Sequence, residues 1–319
     1  MLGKLLNGRN LRYLLLYRFG HVMTAVMWLG CWSSRSAPAP VADYEAHRQW
    51  QEARRQDLLR DDGWLTLAGL YWLEPGENTF GSSPDNDVVF PAGQMPPYGG
   101  IFRVDTAGVT IEVREGVPVL NQGQPVSALV LDSDLTGNPT ILELGSLTFF
   151  LIERGGAKAI RLRDYQSRAR DEFADLDYFP YDRSWRIPAV FKPHEHTSGI
   201  DVPTIMGTTS RLSSPGKLRF EIGSEQYSLD VIGEQDEEEY FIIFGDQTNG
   251  RESYGGGRFL YVAVPDIEGR TVVDFNRAHN PPCAFTPYAT CPLPPPQNVL
   301  PVRVEAGEKV YQGHHEGKP

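Results

Sequence analysis

The chain has 319 residues, 40% of them hydrophobic and 11% aromatic, enough for about two domains with buried cores. Its 32 glycines and 25 prolines favour turns and short strands over long helices. With 30 basic and 41 acidic residues the net charge is −11, which argues against nucleic acid as a partner and against docking on anionic lipid through a basic patch.

Residues 1–42 read as a leader and tether. Lys4, Arg9, Arg12 and Arg18 precede the apolar run His21 to Gly30, with no acid before Cys31. That run is shorter than the roughly 20 residues a transmembrane helix needs and fits an export signal. Leu29-Gly30-Cys31 resembles a bacterial lipobox, which implies lipidation of Cys31; Trp28 stands where that motif usually has leucine. A lipoprotein, a cleaved signal and an uncleaved anchor all stay open. Each implies an exported chain in the cell envelope, lipid-anchored or secreted, with membrane contact only through the leader. Ser33 to Pro40 is a small-residue tether.

Asp43 to Arg60 is expected to be a helix, N-capped by Asp43 and stopped by Asp61-Asp62-Gly63. Tyr44, His47, Gln51, Arg54 and Leu58 recur at helical spacing, and Arg54, Arg55 and Arg60 read as a solvated face. From Trp64 the pattern changes to strands and turns. Trp64 to Leu73 is a buried strand or strand pair, Glu74-Pro-Gly-Glu a turn, and Gly100–Val104 and Val109–Val113 are short strands.

The run Asn78 to Phe90, with Gly81-Ser-Ser-Pro-Asp-Asn-Asp87 inside it, resembles the opening of forkhead-associated (FHA) domains. Val119–Val126 resembles their hairpin, and Leu142–Phe150 their closing strands. The resemblance spans about residues 65–152 and implies a β-sandwich over 43–160. It does not carry phosphothreonine binding. Ser82 stands where the family's phosphate-binding arginine follows the glycine, and a hydroxyl cannot replace a planar guanidinium fork.

Residues 161–186 form a connector dense in charge and aromatics. Arg163, Asp164, Arg168, Arg170 and Asp171 suit either an ion-pair network between domains or an anion-binding cluster. Phe173, Tyr178, Phe179, Tyr181 and Trp185 would pack beneath it. A second, turn-rich β domain is expected over 187–312, with 313–319 as a tail. His194 and His196 form an H-x-H pair, half a metal site at most, and no metal is expected. Gly216–Ile222 and Gln226–Val231 alternate with period two across Gly223-Ser224, a hairpin signal. Tyr240–Phe244, Phe259–Val264 and Thr271–Phe275 are further strands.

The most unusual chemistry lies between Gly245 and Pro296. Asp246, Tyr254, Arg258, Asp274, Asn276 and Asn280 are polar residues beside apolar strands. Converging, they make either a ligand-binding cleft or a satisfied buried network. Gly255-Gly256-Gly257 lacks the Lys-Ser/Thr and the strand–helix context of a phosphate loop. Cys283 and Cys291, flanked by Pro281, Pro282 and Pro292, suit a disulfide, a reactive thiol pair or, lacking further ligands, a metal site. His279 sits four residues before Cys283, in reach of a base role toward a thiolate. No nucleophile elbow, zincin, Walker or dinucleotide fingerprint is present, and no cofactor is expected.

Phe244–Leu260, Asp274–Cys283, Cys291–Asn298 and Ala306-Gly-Glu-Lys309, with Gly63–Trp72 and the connector, resemble the DUF1684 family over about residues 44–311. The resemblance implies an architecture and no activity. The expected fold is all-β: two packed β domains, an FHA-like sandwich and a turn-rich β domain, with one N-terminal helix. The expected role is an envelope-associated protein binding a small polar or anionic ligand in the cleft of the second domain. A hydrolase using the Asp/Arg/Asn cluster and a protein-interaction scaffold built on the FHA-like domain are the alternatives; the protein partner of such a scaffold is unknown.

Overall fold

The computed structural model describes residues 39–195, 199–234 and 237–313. The leader with Cys31, and His196 of the H-x-H pair, lie outside the described residues. No described helix is long and apolar enough to cross a membrane.

Helix α1 spans Ala39–Leu59. It begins before Asp43, because Pro40 falls in the first turn, where a missing N–H costs nothing. Asp43 is therefore inside the helix and not its cap. Its carboxylate turns inward, 2.8 Å from Arg186 and 3.4 Å from Arg183. The inward stripe is Asp43, His47, Trp50, Arg54 and Leu58, at helical spacing. Only Leu58 on that stripe is aliphatic, so polar and aromatic contacts dock the helix. Arg54 is not solvated: its side chain keeps 14% of its accessible surface and pairs with Glu308.

The first domain is a sandwich of two sheets. After a 3₁₀ turn at Trp64–Thr66, its strands are β1 (Leu67–Trp72), β2 (Gly76–Gly81), β3 (Val88–Val89), β4 (Gly100–Asp105), β5 (Gly108–Val113), β6 (Leu120–Asn121), β7 (Gln124–Pro125), β8 (Ala128–Leu131), β9 (Leu142–Leu144), β10 (Leu147–Arg154) and β11 (Ala157–Asp164). One sheet has six strands in the order β1-β11-β10-β9-β6-β7, the other five in the order β3-β2-β4-β5-β8. Only the short β2–β3 pair is parallel. Alternation puts Phe149, Leu151, Ile160 and Leu162 inside, against Phe80, Phe102, Val109 and Ile111 of the opposite sheet. Phe80 lies tilted against Phe102 at 4.8 Å between ring centroids, and Phe90 meets Phe149 edge-on at 5.1 Å. Gln122 and Gly123 both take positive φ, the two-residue turn that matches hairpin twist between β6 and β7.

The other face of the six-stranded sheet is also covered. Leu70, Trp72, Phe150, Ile152 and Ala159 cluster on it. Leu67 and Trp64 pack against Ala289, Cys291 and Tyr288 of the second domain. This face is the junction between the domains.

The connector crosses that junction. A short helix α2 (Arg168–Asp171) is capped by Ser167. The expected network is narrower than its composition suggests. Arg170 pairs with Asp61 at 2.7 Å, Arg168 with Glu172 at 2.8 Å, and Arg163 donates to the backbone carbonyl of Asp62.

The second domain contains β12 (Arg186–Pro193), β13 (Ile200–Pro203), β14 (Thr209–Leu212), β15 (Gly216–Ile222), β16 (Glu225–Asp230), β17 (Glu239–Phe244), β18 (Arg258–Ala263) and β19 (Arg270–Asp274). A four-stranded sheet, β16-β15-β12-β19, encloses one core with the β17–β18 hairpin. Leu218, Phe220, Ile242, Phe244, Leu260, Val273 and Phe275 fill it. Asn298 has no accessible surface. Its amide exchanges bonds with Asp230 at 2.7 and 2.9 Å and donates to the Ile243 carbonyl at 3.0 Å, which ties β16 to β17.

Candidate functional site

The residues singled out between Gly245 and Pro296 fall into separate groups. Arg258 opens β18 and is 0% exposed. Its guanidinium donates to Asp246 Oδ2 at 2.7 Å, to the Val304 carbonyl at 2.9 Å and to the Ala306 carbonyl. Asp246 Oδ1 accepts from the backbone of Thr248 and Val304 at 2.8 and 3.1 Å. Phe244 and Phe179 lie over the guanidinium, 5.3 and 5.9 Å from it. Burial pulls the Arg258 pKa below its ordinary value, and the Asp246 charge opposes that shift. The open cleft expected at Arg258 is absent, because chain carbonyls and a carboxylate already occupy its terminal nitrogens. Gly257 makes this closure possible. At φ +84 it lies so close to Pro294 that an added Cβ would meet the ring carbon at 2.3 Å.

Asp274 and Asn276 form the second group. Asp274 caps the turn Phe275–Arg277, accepts from the Asn276 amide at 3.0 Å and lies 3.3 Å from Arg186. Asn276 bonds both ways with the backbone of Asp182, at 2.9 and 3.1 Å. The pair fastens the connector to the core. Tyr254 stands apart, donating to the Cys283 carbonyl at 3.1 Å. Cys283 and Cys291 are joined as a disulfide with their Cα atoms 6.1 Å apart, so Cys283 is no thiolate partner for His279. His194 lies 3.6 Å from Asp230, and no group of three or more metal-ligating side chains occurs among the described residues.

Asn280 leads to an arrangement that sequence reasoning missed. Its backbone N–H donates to Glu308 at 2.8 Å, and its amide donates to the Lys309 carbonyl at 2.7 Å. Glu308 is fully buried and receives Arg54 from α1 at 3.0 Å; Arg54 also donates to the Asn280 carbonyl at 3.0 Å. Around this hub, between α1 and the second domain, lies a set of histidine, tyrosine and tryptophan rings. His47 is 5.0 Å from Tyr181, 5.7 Å from Trp50 and 6.4 Å from Tyr178. His279 stacks on Tyr261 at 5.8 Å and sits 6.4 Å from Trp50.

Four buried polar atoms here have no hydrogen-bond partner among the described residues: His47 Nδ1, the Tyr178 and Tyr181 hydroxyls, and Asn280 Oδ1. Burial pushes His279 down to about 3, helped by the Arg54 charge, and lowers His47 as well. Burial likewise raises Tyr178 and Tyr261. The rings are therefore uncharged, and the charges beside them are paired: Arg54 with Glu308, and Asp43 and Asp274, whose fields reach His47 and Tyr181, with Arg183, Arg186 and Arg277. The one signal for it in the sequence was the recurrence of His47 and Arg54 at helical spacing.

Comparison with known proteins adds a family and no chemistry. A family described as "Protein of unknown function (DUF1684)" matches residues 171–309, which include Arg258, Asn280, Glu308 and the disulfide. The solution structure of an uncharacterised protein from Haloarcula marismortui is 31% identical, over 46% of this chain and 81% of that one, with a TM-score of 0.38. The second FHA domain of a Mycobacterium tuberculosis ABC transporter is 15% identical, over 46% of this chain and 96% of that one, with a TM-score of 0.22. The sandwich described above stands on its own strand pairing, independent of either likeness. No curated protein matches the chain. By the family match, residues 171–309, the end of the connector and the second domain, belong to the DUF1684 family of proteins of unknown function.

Proposed function

We propose that this is an exported, envelope-associated binding protein that holds a small, uncharged polar ligand in the histidine–tyrosine enclosure beneath α1. The carrying observation is the concentration of unpartnered buried polar atoms there: His47 Nδ1, the hydroxyls of Tyr178 and Tyr181, and Asn280 Oδ1. A buried polar atom without a partner costs about 1–3 kcal/mol, and a ligand presenting donors and acceptors between aromatic rings recovers that cost. The charge balance favours an uncharged ligand, because the histidines are held neutral, Arg54 is matched by Glu308, and Asp43 and Asp274 are matched by Arg186 and its neighbours. Docking of α1 by polar contacts gives the ligand a way in, since a helix held by ion pairs opens more readily than one held by an aliphatic stripe.

The test is a thermal-shift screen of neutral polar metabolites on the purified full-length protein, repeated with Tyr178→Phe and His47→Phe. A ligand that raises the melting temperature of the parent protein and not of the folded variants supports the reading. If no compound acts and both variants are simply more stable, the enclosure is a structural feature. Export rests on the basic-then-apolar leader and Cys31. Mass analysis of the mature N-terminus, with Cys31→Ala beside it, tests it; an intact, unmodified Met1 on cytoplasmic protein would refute it.

A further inference from the structure

The junction between the domains contains a second feature, independent of the enclosure beneath α1. Arg161 and Arg163 alternate on β11, so both point to the outer face of the six-stranded sheet. Arg161 stands opposite Leu70 of β1 and Phe150 of β10. It is only 5% exposed. Its one hydrogen bond among the described residues is a long one, from Nη2 to the Thr290 hydroxyl at 3.3 Å, and its Nε has no partner. Arg163 donates to the Asp62 carbonyl and lies over the Phe150 ring at 5.6 Å; its Nε is also buried and unpartnered.

Charge makes the site more unusual. Arg154, on the same face, is paired with Asp134 at 2.6 Å. No carboxylate among the described residues lies within ion-pair distance of Arg161 or Arg163. The fields of Arg154 and Arg163 add to burial in pushing Arg161 down to about 9, opposed weakly by Asp134, which is already paired with Arg154; Arg163 is lowered by burial and opposed by the Asp62 charge. A buried cation without a counter-charge is among the costliest arrangements a fold can hold. The Arg258–Asp246 pair shows the ordinary solution in this same protein, and Arg161 lacks it.

We infer that Arg161 and Arg163, with the Thr290 hydroxyl, form a binding site for a small oxyanion at the junction of the two domains. The guanidinium Nε and Nη groups present the planar fork that takes phosphate or carboxylate oxygens in parallel bonds. Thr290 belongs to the loop closed by the Cys283–Cys291 disulfide, so an oxyanion held here would bridge the sandwich and the second domain.

The experiment is thermal denaturation of the full-length protein titrated with inorganic phosphate, sulfate or succinate, against sodium chloride at matched ionic strength. The expected result is a saturable rise in melting temperature with at least one oxyanion beyond the chloride control, reaching several degrees at roughly 100-fold excess over Kd. The phosphate, sulfate and succinate arms separate tetrahedral oxyanions from carboxylates. Arg161→Met should abolish the response while melting no lower than the parent protein in anion-free buffer, because it removes an uncompensated buried charge. Thr290→Val, which keeps both arginines, should weaken the response. Equal shifts with chloride, or an Arg161→Met protein that keeps the oxyanion response, would overturn the inference. Neither outcome bears on the neutral-ligand site, which these variants leave untouched.

Discussion

Arg54 and Glu308 meet at 3.0 Å although 254 positions separate them. The contact fastens the N-terminal helix to the last turn of the second domain and buries the carboxylate completely. Glu308 also accepts the Asn280 N–H, so one side chain holds α1, the His279–Asn280 segment and the C-terminal strap together. Arg54→Met leaves that carboxylate buried with a single donor and should cost about 3–5 kcal/mol. The double variant Arg54→Met/Glu308→Met should recover a large part of the loss. A double-mutant cycle by urea denaturation checks this; additive losses would mean that the two groups do not depend on each other.

The same logic predicts the behaviour of the buried core pair. Arg258→Met strands the Asp246 carboxylate with only backbone donors and should cost about 3–5 kcal/mol. Arg258→Lys should not rescue it, because an ammonium cannot reach Asp246 and the Val304 and Ala306 carbonyls in one plane. Chemical denaturation of the two variants decides. Near-parental stability for Arg258→Lys would show that charge alone, and not the fork, is required.

Strands and hairpins were legible because burial alternates with the sequence. Gly216–Ile222 and Glu225–Asp230 pair in the register their period-two pattern requires. The same pattern reading picked out Arg258, Asp274, Asn276 and Asn280 as polar residues beside apolar strands. It did not show that they separate into a buried ion pair, a cap and a helix anchor. That outcome depends on carbonyls at positions 304 and 306 and on a glutamate at 308, which no local window contains. Arg54 was read as solvated because a run of charges on a helix usually is, and its partner lies at the other end of the chain. His47, Tyr178 and His279 gave no joint signal, since three segments far apart in sequence bring their rings together.

The disulfide should matter through the junction it stiffens. It closes a short proline-flanked loop that packs Ala289 and Cys291 on Leu67 and supplies the Cys283 carbonyl that receives Tyr254. Closing a loop of this length is worth about 2–3 kcal/mol on chain-entropy grounds. Cys283→Ala/Cys291→Ala, or reduction with a dithiol, should lower the melting temperature, and proteolysis should then cut first between the domains. An unchanged melting curve after complete reduction, verified by thiol counting, would remove the disulfide from the account.

His279 gives the protein a pH dependence with a definite sign. Its folded pKa lies near 3 against an ordinary 6.5, with burial the largest cause and the Arg54 charge the next; the Arg277 carbonyl acts weakly the other way. Between those values the unfolded chain binds a proton that the folded chain does not. Stability is therefore fully present above about pH 6.5 and falls as the pH drops toward 3, by up to about 1.4 kcal/mol per pH unit for one such group. His47, lowered by burial, acts in the same direction. Urea midpoints from pH 7.5 down to pH 4.5 should fall steadily, and His279→Phe, which keeps the stacking on Tyr261 without the titration, should flatten the slope. A slope unchanged by His279→Phe would show that the ring is protonated and solvated in the folded state, and would open the enclosure to charged ligands as well.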